Sequence, residues 1–307
     1  MAGLLFTDRG LRFEQLRLLE APSVAARVHG GIVDVSASTL AWLEDGARSL
    51  AKATGDVRVD EVEPQQIYDW HLSLLRRMRP VTANSYLRAV KTLFGRLLGA
   101  GVVAVNPARP VPFAAEPRPS PKAIRESDYL ALRSAATDAR DRALVDVLWA
   151  SGCRLGGLLS MRLDRMERWE DAGRQCFALY VVEKGEKPRY VYVGQEREQG
   201  DALVAWLDVR PVCDVLDVWL TRREPFRRLS AVGVQHVLRR LKVKADIPRS
   251  RPCNPHAFRH AFALRMLDAG HDLAAVSAWL GHYSPQFTAS VYAIRPEQAL
   301  RAKYFSG

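Results

Sequence analysis

Residues 254–262 read N-P-H-A-F-R-H-A-F. The spacing predicts a helix over 255–269, on which His256, Arg259 and His260 fall at i, i+3 and i+4, share one face and are crowded by Phe258 and Phe262. Two chemistries use such a face. A His-x-x-x-His pair resembles half of a zinc site, but the neighbour of the first histidine is Ala257 where a general base would stand. The four cysteines, Cys153, Cys176, Cys213 and Cys253, have no C-x-x-C spacing either. No metal and no cofactor is expected. The other chemistry is phosphate binding, since an arginine fork matches phosphate oxygens and histidine can donate or shuttle a proton near neutral pH. A plain helix with a satisfied histidine and a surface arginine would explain the segment in isolation, so the rest of the chain decides.

The chain has 307 residues, a length that suggests two domains, and 48% of them are hydrophobic, enough for genuine cores. A net charge of +11 points toward nucleic acid or another polyanion. Only 8 of the 45 basic residues are lysine, which makes each lysine more informative than any single arginine. Dispersed cysteines suit a reducing cytoplasm without disulfides. The apolar start breaks at Thr7-Asp8-Arg9, unlike a signal peptide, and no stretch is long enough to span a bilayer. A cytoplasmic, nucleoid-associated protein with no membrane partner is the expectation.

Working outward, residues 1–35 read as an arm or strap with one short helix, L-R-F-E-Q-L-R-L-L-E-A, ending before Pro22. Helical patterns follow at 38–53, 64–78 and 81–99. In the last, Tyr86, Leu87, Val90, Leu93, Phe94, Leu97 and Leu98 form an apolar stripe behind Thr82 as a cap, with Gly99 near the end. Arg88, Lys91 and Arg96 lie on the other face, either as a solvated surface or as contacts that track a DNA backbone. Five prolines between 110 and 121 exclude helix and central strand, and mark an extended linker, here bounded as 114–124. The helical domain is thus placed at 36–113 and a second domain at 125–307. In the latter, helices are expected near 125–136, 138–151, 200–208, 213–222, 230–245, 255–269, 272–280 and 285–293, with a final helix at the end of the chain. A hairpin is expected from strands 177–183 and 189–193. The fold class is mainly α with a small antiparallel sheet.

Four positions join the opening stretch. Arg154 follows a glycine helix stop in L-W-A-S-G-C-R-L-G-G, and Lys184 sits at the hairpin tip in E-K-G-E-K-P-R. His282 stands in W-L-G-H, and Tyr292 ends F-T-A-S-V-Y. The order Arg, strand-Lys-Gly, His-x-x-Arg-His, Leu-Gly-His and Tyr resembles the tyrosine recombinase, or phage integrase, family. The resemblance covers about residues 36–305, including T-x-N-x-Y-L at 82–87 and N-P-A-R at 106–109, which look like the family's helical core-binding (SAM-like) domain. It implies a two-domain clamp on duplex DNA, in which Arg154 and Arg259 hold the scissile phosphate and Lys184 is the general acid. It likewise implies that His256 and His282 assist proton transfer and phosphate contact, and that Tyr292 is the nucleophile rather than Tyr283 or Tyr304. His260 is read as a supporting residue that buttresses Arg154 or Arg259 by packing. Lys187 and Arg189 are read as DNA-backbone or solvent charges. The implied activity is site-specific strand exchange through a 3′-phosphotyrosyl intermediate and a Holliday junction within a homotetramer, with a directionality factor as an accessory partner.

The residue types suit that chemistry in their own right. An oxygen attacking a phosphodiester builds charge that two fixed guanidiniums stabilise, and the departing sugar oxygen needs a proton that lysine releases far more readily than arginine. A tyrosyl ester conserves the bond energy, so neither ATP nor metal is required. Two positions depart from the family pattern. Many members carry an acidic residue three positions after the first arginine, where this chain has Gly157, and position 183, often glycine, is Glu183. Either another carboxylate takes over or the site is held more loosely, and Glu183 either damps Lys184 or points outward along its strand. A type IB-like topoisomerase and a catalytically degenerate DNA-binding protein remain alternatives.

Overall fold

The computed structural model describes residues 15–29, 35–116, 122–183 and 188–281. The chain divides into two compact units, Met1–Arg118 and Pro119–Gly307.

In the first unit, helices α1 (Ala21–His29), α2 (Ala37–Thr54), α3 (Pro64–Leu75) and α4 (Pro80–Gly99) pack with α4 against each of the others. Leu87, Val90, Leu93, Phe94 and Leu97 of the expected stripe are fully buried, joined by Leu18, Leu43, Leu50, Ile67 and Trp70. Leu98 is 39% exposed and lies outside the core. Proline decides two helix starts that the sequence suggests differently. The helix expected to end before Pro22 instead begins at Ala21, and α4 begins at Pro80 behind Arg79, which leaves Thr82 inside the helix and not at its cap. A first-turn amide has no partner within the helix, so a proline there costs no hydrogen bond. Leu16, Leu18, Ala21, Val24 and Ala25 belong to the same core, so the part of the expected strap at 15–29 packs as an element of the unit.

The second unit contains α5 (Glu126–Ala135), α6 (Ala139–Ser151), α7 (Leu155–Ser160), β1 (Met166–Asp171), β2 (Arg174–Val181) and β3 (Arg189–Val193). It continues with α8 (Arg197–Val209), α9 (Ala231–Lys244), α10 (Pro255–Asp268) and α11 (Leu273–Leu280). The strands form an antiparallel sheet in the order β1-β2-β3, with Phe177 opposite Val193 and Leu179 opposite Val191. Helix α6 is buried nearly all round and meets α5, α8, α10 and β3. The side chain of Asp138 accepts from the Asp141 amide to start α6, and Gly152, left-handed at φ 56°, ends it. Asp272 and Gly281 (φ 68°) bound α11 in the same way.

Two expectations in this unit need correction. No helix forms over 213–222: the Leu163 amide donates to the Leu216 carbonyl and the Val218 amide to the Met161 carbonyl, so extended pairing satisfies the backbone while Val218, Trp219 and Leu220 are buried. Strand β1 was not expected, because M-E-R-W-E-D is exposed along almost its whole length and shows no period-2 alternation. The helices expected at 285–293 and at the chain end lie outside the described residues. No described helix is long and apolar enough to cross a membrane.

Candidate active site

Two helices of the second unit end close together. The C-terminal carbonyls of a helix lack intrahelical donors and carry the negative end of its dipole, so a cation placed there is favoured. Arg259 occupies such a place twice: its Nη1 donates to the Gly152 carbonyl (3.1 Å) at the end of α6, and its Nη2 to the Leu280 carbonyl (2.6 Å) at the end of α11. The residue is only 4% exposed. Gly152 is needed for its left-handed backbone and also for space, since a Cβ there would lie 2.7 Å from the Phe262 ring.

Arg154, two residues beyond Gly152, is the N-cap of α7. Its Nη1 donates to Glu183 Oε2 (2.7 Å) and its backbone amide to Glu183 Oε1 (2.8 Å). Arg189, at the start of β3, closes the cluster. Its Nη2 donates to Glu183 Oε1 (3.3 Å), its Nη1 lies 3.1 Å from Oε2, and its Nε donates to the Trp279 carbonyl (3.1 Å) in the last turn of α11. Three arginines from three different elements are thus gathered around one buried carboxylate and two helix termini. Glu183 is 3% exposed and turned inward, which rules out an outward course along its strand. Arg189, read from sequence as a DNA-backbone or solvent charge, has a side chain only 13% exposed and engaged by Glu183 and α11. Sequence reasoning missed this role of Arg189; its position one residue beyond Pro188, at the first residue of a returning strand, was the available signal.

Helix α10 carries Arg259 inward, while His256, one turn earlier, is exposed and His260 is half-buried, so the face is not uniformly buried as its composition suggests. Asn254 caps this helix by accepting from the Ala257 amide. Burial lowers the His260 pKa below its ordinary value of 6.5, helped by the charges of His256 and Arg259, and favours a neutral imidazole. Lys184, Lys187, His282 and Tyr292 lie outside the described residues.

In the first unit, Arg88 and Lys91 both approach the Phe113 ring, at 5.2 and 4.8 Å from its centroid. Lys91 also donates to the Arg109 carbonyl, and burial lowers its pKa. Arg88 is exposed and Arg96 half-buried. Asn84, from the T-x-N-x-Y-L segment, bonds both the amide and the carbonyl of Ala114, fixing the path by which the chain leaves this unit.

Residues 122–298 match the phage integrase family. The tyrosine recombinase XerD of Pseudomonas putida is 32% identical over 263 residues, covering 82% of this chain and 80% of the relative. The tyrosine recombinase XerC of Shewanella oneidensis is 32% identical over 247 residues, covering 78% and 76%. Among solved structures, a lambda integrase tetramer bound to a Holliday junction superposes with a TM-score of 0.68 at 16% identity, over 90% of this chain and 77% of that one. A Tn1549 transposon integrase in complex with a circular intermediate DNA gives 0.68 at 17%, over 95% and 99%. At those identities the structural likeness is one of fold. The chain belongs to the phage integrase family of tyrosine recombinases. Its activity is site-specific DNA recombination.

Proposed function

We propose that Arg154 and Arg259 bind the scissile phosphate and that Tyr292 is the nucleophile. The Tyr292 oxygen forms a bond to phosphorus as the bond from phosphorus to the 5′ oxygen breaks, leaving a 3′-phosphotyrosyl link. Lys184 gives its proton to the departing 5′ oxygen, the phenolic proton of Tyr292 leaves through the histidine pair His256 and His282, which also contact the phosphate, and His260 supports Arg154 or Arg259. Attack by a 5′ hydroxyl of a second duplex reverses the step and exchanges strands, so the phosphodiester count is conserved and neither cofactor nor ATP enters. The observation that carries this reading is the fixation of both arginines side by side: Arg259 bonds the carbonyls of Gly152, two residues before Arg154, and of Leu280, while Arg154 bonds Glu183. Preorganised charge of this kind stabilises developing negative charge without reorganisation at the moment of reaction.

The wider assembly rests on the resemblance and on the named relatives. The two units embrace duplex DNA, with Arg88, Lys91, Arg96 and Lys187 toward the backbone, and four chains synapse two duplexes around a Holliday junction. A directionality factor and a nucleoid location complete the reading. The test is relaxation of supercoiled plasmid in EDTA without ATP, with covalent complexes trapped in detergent, for wild type and Tyr292→Phe. Relaxation and a DNA adduct that vanish together in the variant are expected; equal activity in both would remove Tyr292 from the role.

A further inference from the structure

Gly157 lies in the first turn of α7, buried, and its backbone does not demand glycine. Space does. A Cβ at position 157 would meet Glu183 Oε1 at 2.5 Å, Cγ at 3.0 Å and Cδ at 3.2 Å, whereas a Cβ on neighbouring Gly156 would meet nothing within 4 Å. The carboxylate of Glu183 therefore fills the volume that a side chain on residue 157 would take. Helix α7 also grips the end of β2 beside it, because Ser160 Oγ accepts from the Val182 amide at 2.8 Å. We propose that Glu183 is the positioning residue of the phosphate-binding arginines: from the end of β2 it supplies the carboxylate that orients Arg154, in a volume kept open by Gly157, and the two positions act as one reciprocal pair.

Glu183 suits this task for four reasons. Both of its oxygens accept from Arg154, one from the guanidinium and one from the amide that opens α7, so side chain and backbone of the arginine are set together. Its burial between Arg154 and Arg189 strengthens each interaction and leaves little play in the geometry. Arg189 in turn is braced by the carbonyl of Trp279, in the same helix turn that holds Arg259, so one carboxylate links both phosphate-binding arginines to a single frame. Glu183 also immediately precedes Lys184, so the residue that anchors Arg154 begins the segment carrying the proposed general acid. The two departures from the family pattern are thereby one substitution in two parts: the carboxylate has moved from α7 to β2, and the glycine has moved the other way.

This proposal rests on the reading that Arg154 contacts the scissile phosphate. The experiment uses the full chain and a duplex selected from random sequence by binding to the wild-type protein, and follows the single-turnover rate of covalent adduct formation, duplex affinity and melting temperature. Glu183→Gln keeps shape and removes charge; a fall in rate of about 100-fold or more is expected with duplex affinity changed less than about threefold, the scale seen when one preorganised electrostatic partner is lost. Glu183→Gly is expected to fall at least as far, and the exchange Gly157→Glu with Glu183→Gly to recover at least about tenfold over it, a rescue that a merely structural glutamate would not permit. Gly157→Ala is expected to slow the reaction and Gly156→Ala to leave it at the wild-type rate. Arg154→Ala reacting as fast as wild type would overturn the underlying reading. A slow Arg154→Ala beside a Glu183→Gln variant at the wild-type rate, or an exchange variant no faster than Glu183→Gly while melting like it, would overturn this proposal alone.

Discussion

Arg259 shows how much of this site depends on residues that carry no charge. Its guanidinium is held by two main-chain carbonyls, and both exist as acceptors because a left-handed glycine ends the helix concerned. Truncating Arg259 to alanine is expected to slow adduct formation by roughly 10²–10³-fold, the usual cost of losing a charge-stabilising donor group; a single-turnover measurement checks it. Gly152→Ala acts at one remove. The left-handed conformation costs a side-chain-bearing residue about 1–2 kcal/mol, and the clash with Phe262 adds to it. Destabilisation of at least that size in denaturant melts is expected, accompanied by slower chemistry as the Gly152 carbonyl shifts. Arg154→Lys is predicted to fail as well, since a single ammonium cannot both hold Glu183, as Nη1 does, and present a planar set of donors to a phosphate.

At the scale of elements, α2 and α4 cross closely enough that Gly46 meets Ala89: a Cβ on residue 46 would lie 2.6 Å from the Ala89 Cβ. Gly46→Ala gains helix propensity but overpacks a buried crossing, and a net loss of about 1–3 kcal/mol is expected from equilibrium unfolding. His71 and Asn84 make the polar connection between α3 and α4, at 3.2 Å. Burial, with a contribution from the Lys91 charge, lowers the His71 pKa below 6.5 despite the bond to Asn84. The unfolded chain therefore takes up a proton first as pH falls, so the stability this histidine supports is intact above about 6.5 and declines as pH drops through that value toward the native pKa. Thermal melts at pH 7 and pH 5 are predicted to differ less in His71→Leu than in wild type.

Elements also show what the sequence could reveal. Helix α4 was legible because its buried residues keep a helical period and a glycine stands at its end, whereas its start at Pro80 was misplaced to a Thr82 cap. The hairpin of β2 and β3 was legible from two apolar runs around a polar turn. Strand β1 carries neither signal, and the extended run at 213–222 imitates a helix because its apolar residues are adjacent in sequence yet buried by pairing with residues 161–163. Arg154 and Arg259 stood out as candidates from a motif order that resembles the family. The capture of Arg189 by Glu183 could not, because their contact depends on how two strand ends meet α7 and α11, although Gly157 and Glu183 both stood out as departures.

For the whole molecule, each unit has its own core, and the arginines proposed to bind phosphate come from the second unit alone. The proposed assembly requires four chains on two duplexes, so scattering mass on bound target DNA should rise to a tetramer, while a monomer retained on saturated DNA would contradict it. The central claim concerns a single covalent bond. Protease digestion of the trapped protein–DNA complex, followed by mass spectrometry of the nucleotide-linked peptide, tests it most directly. A 3′-phosphate joined to the peptide containing Tyr292 is the predicted result; a nucleotide attached at Tyr283, at Tyr304 or at a residue other than tyrosine would contradict the account.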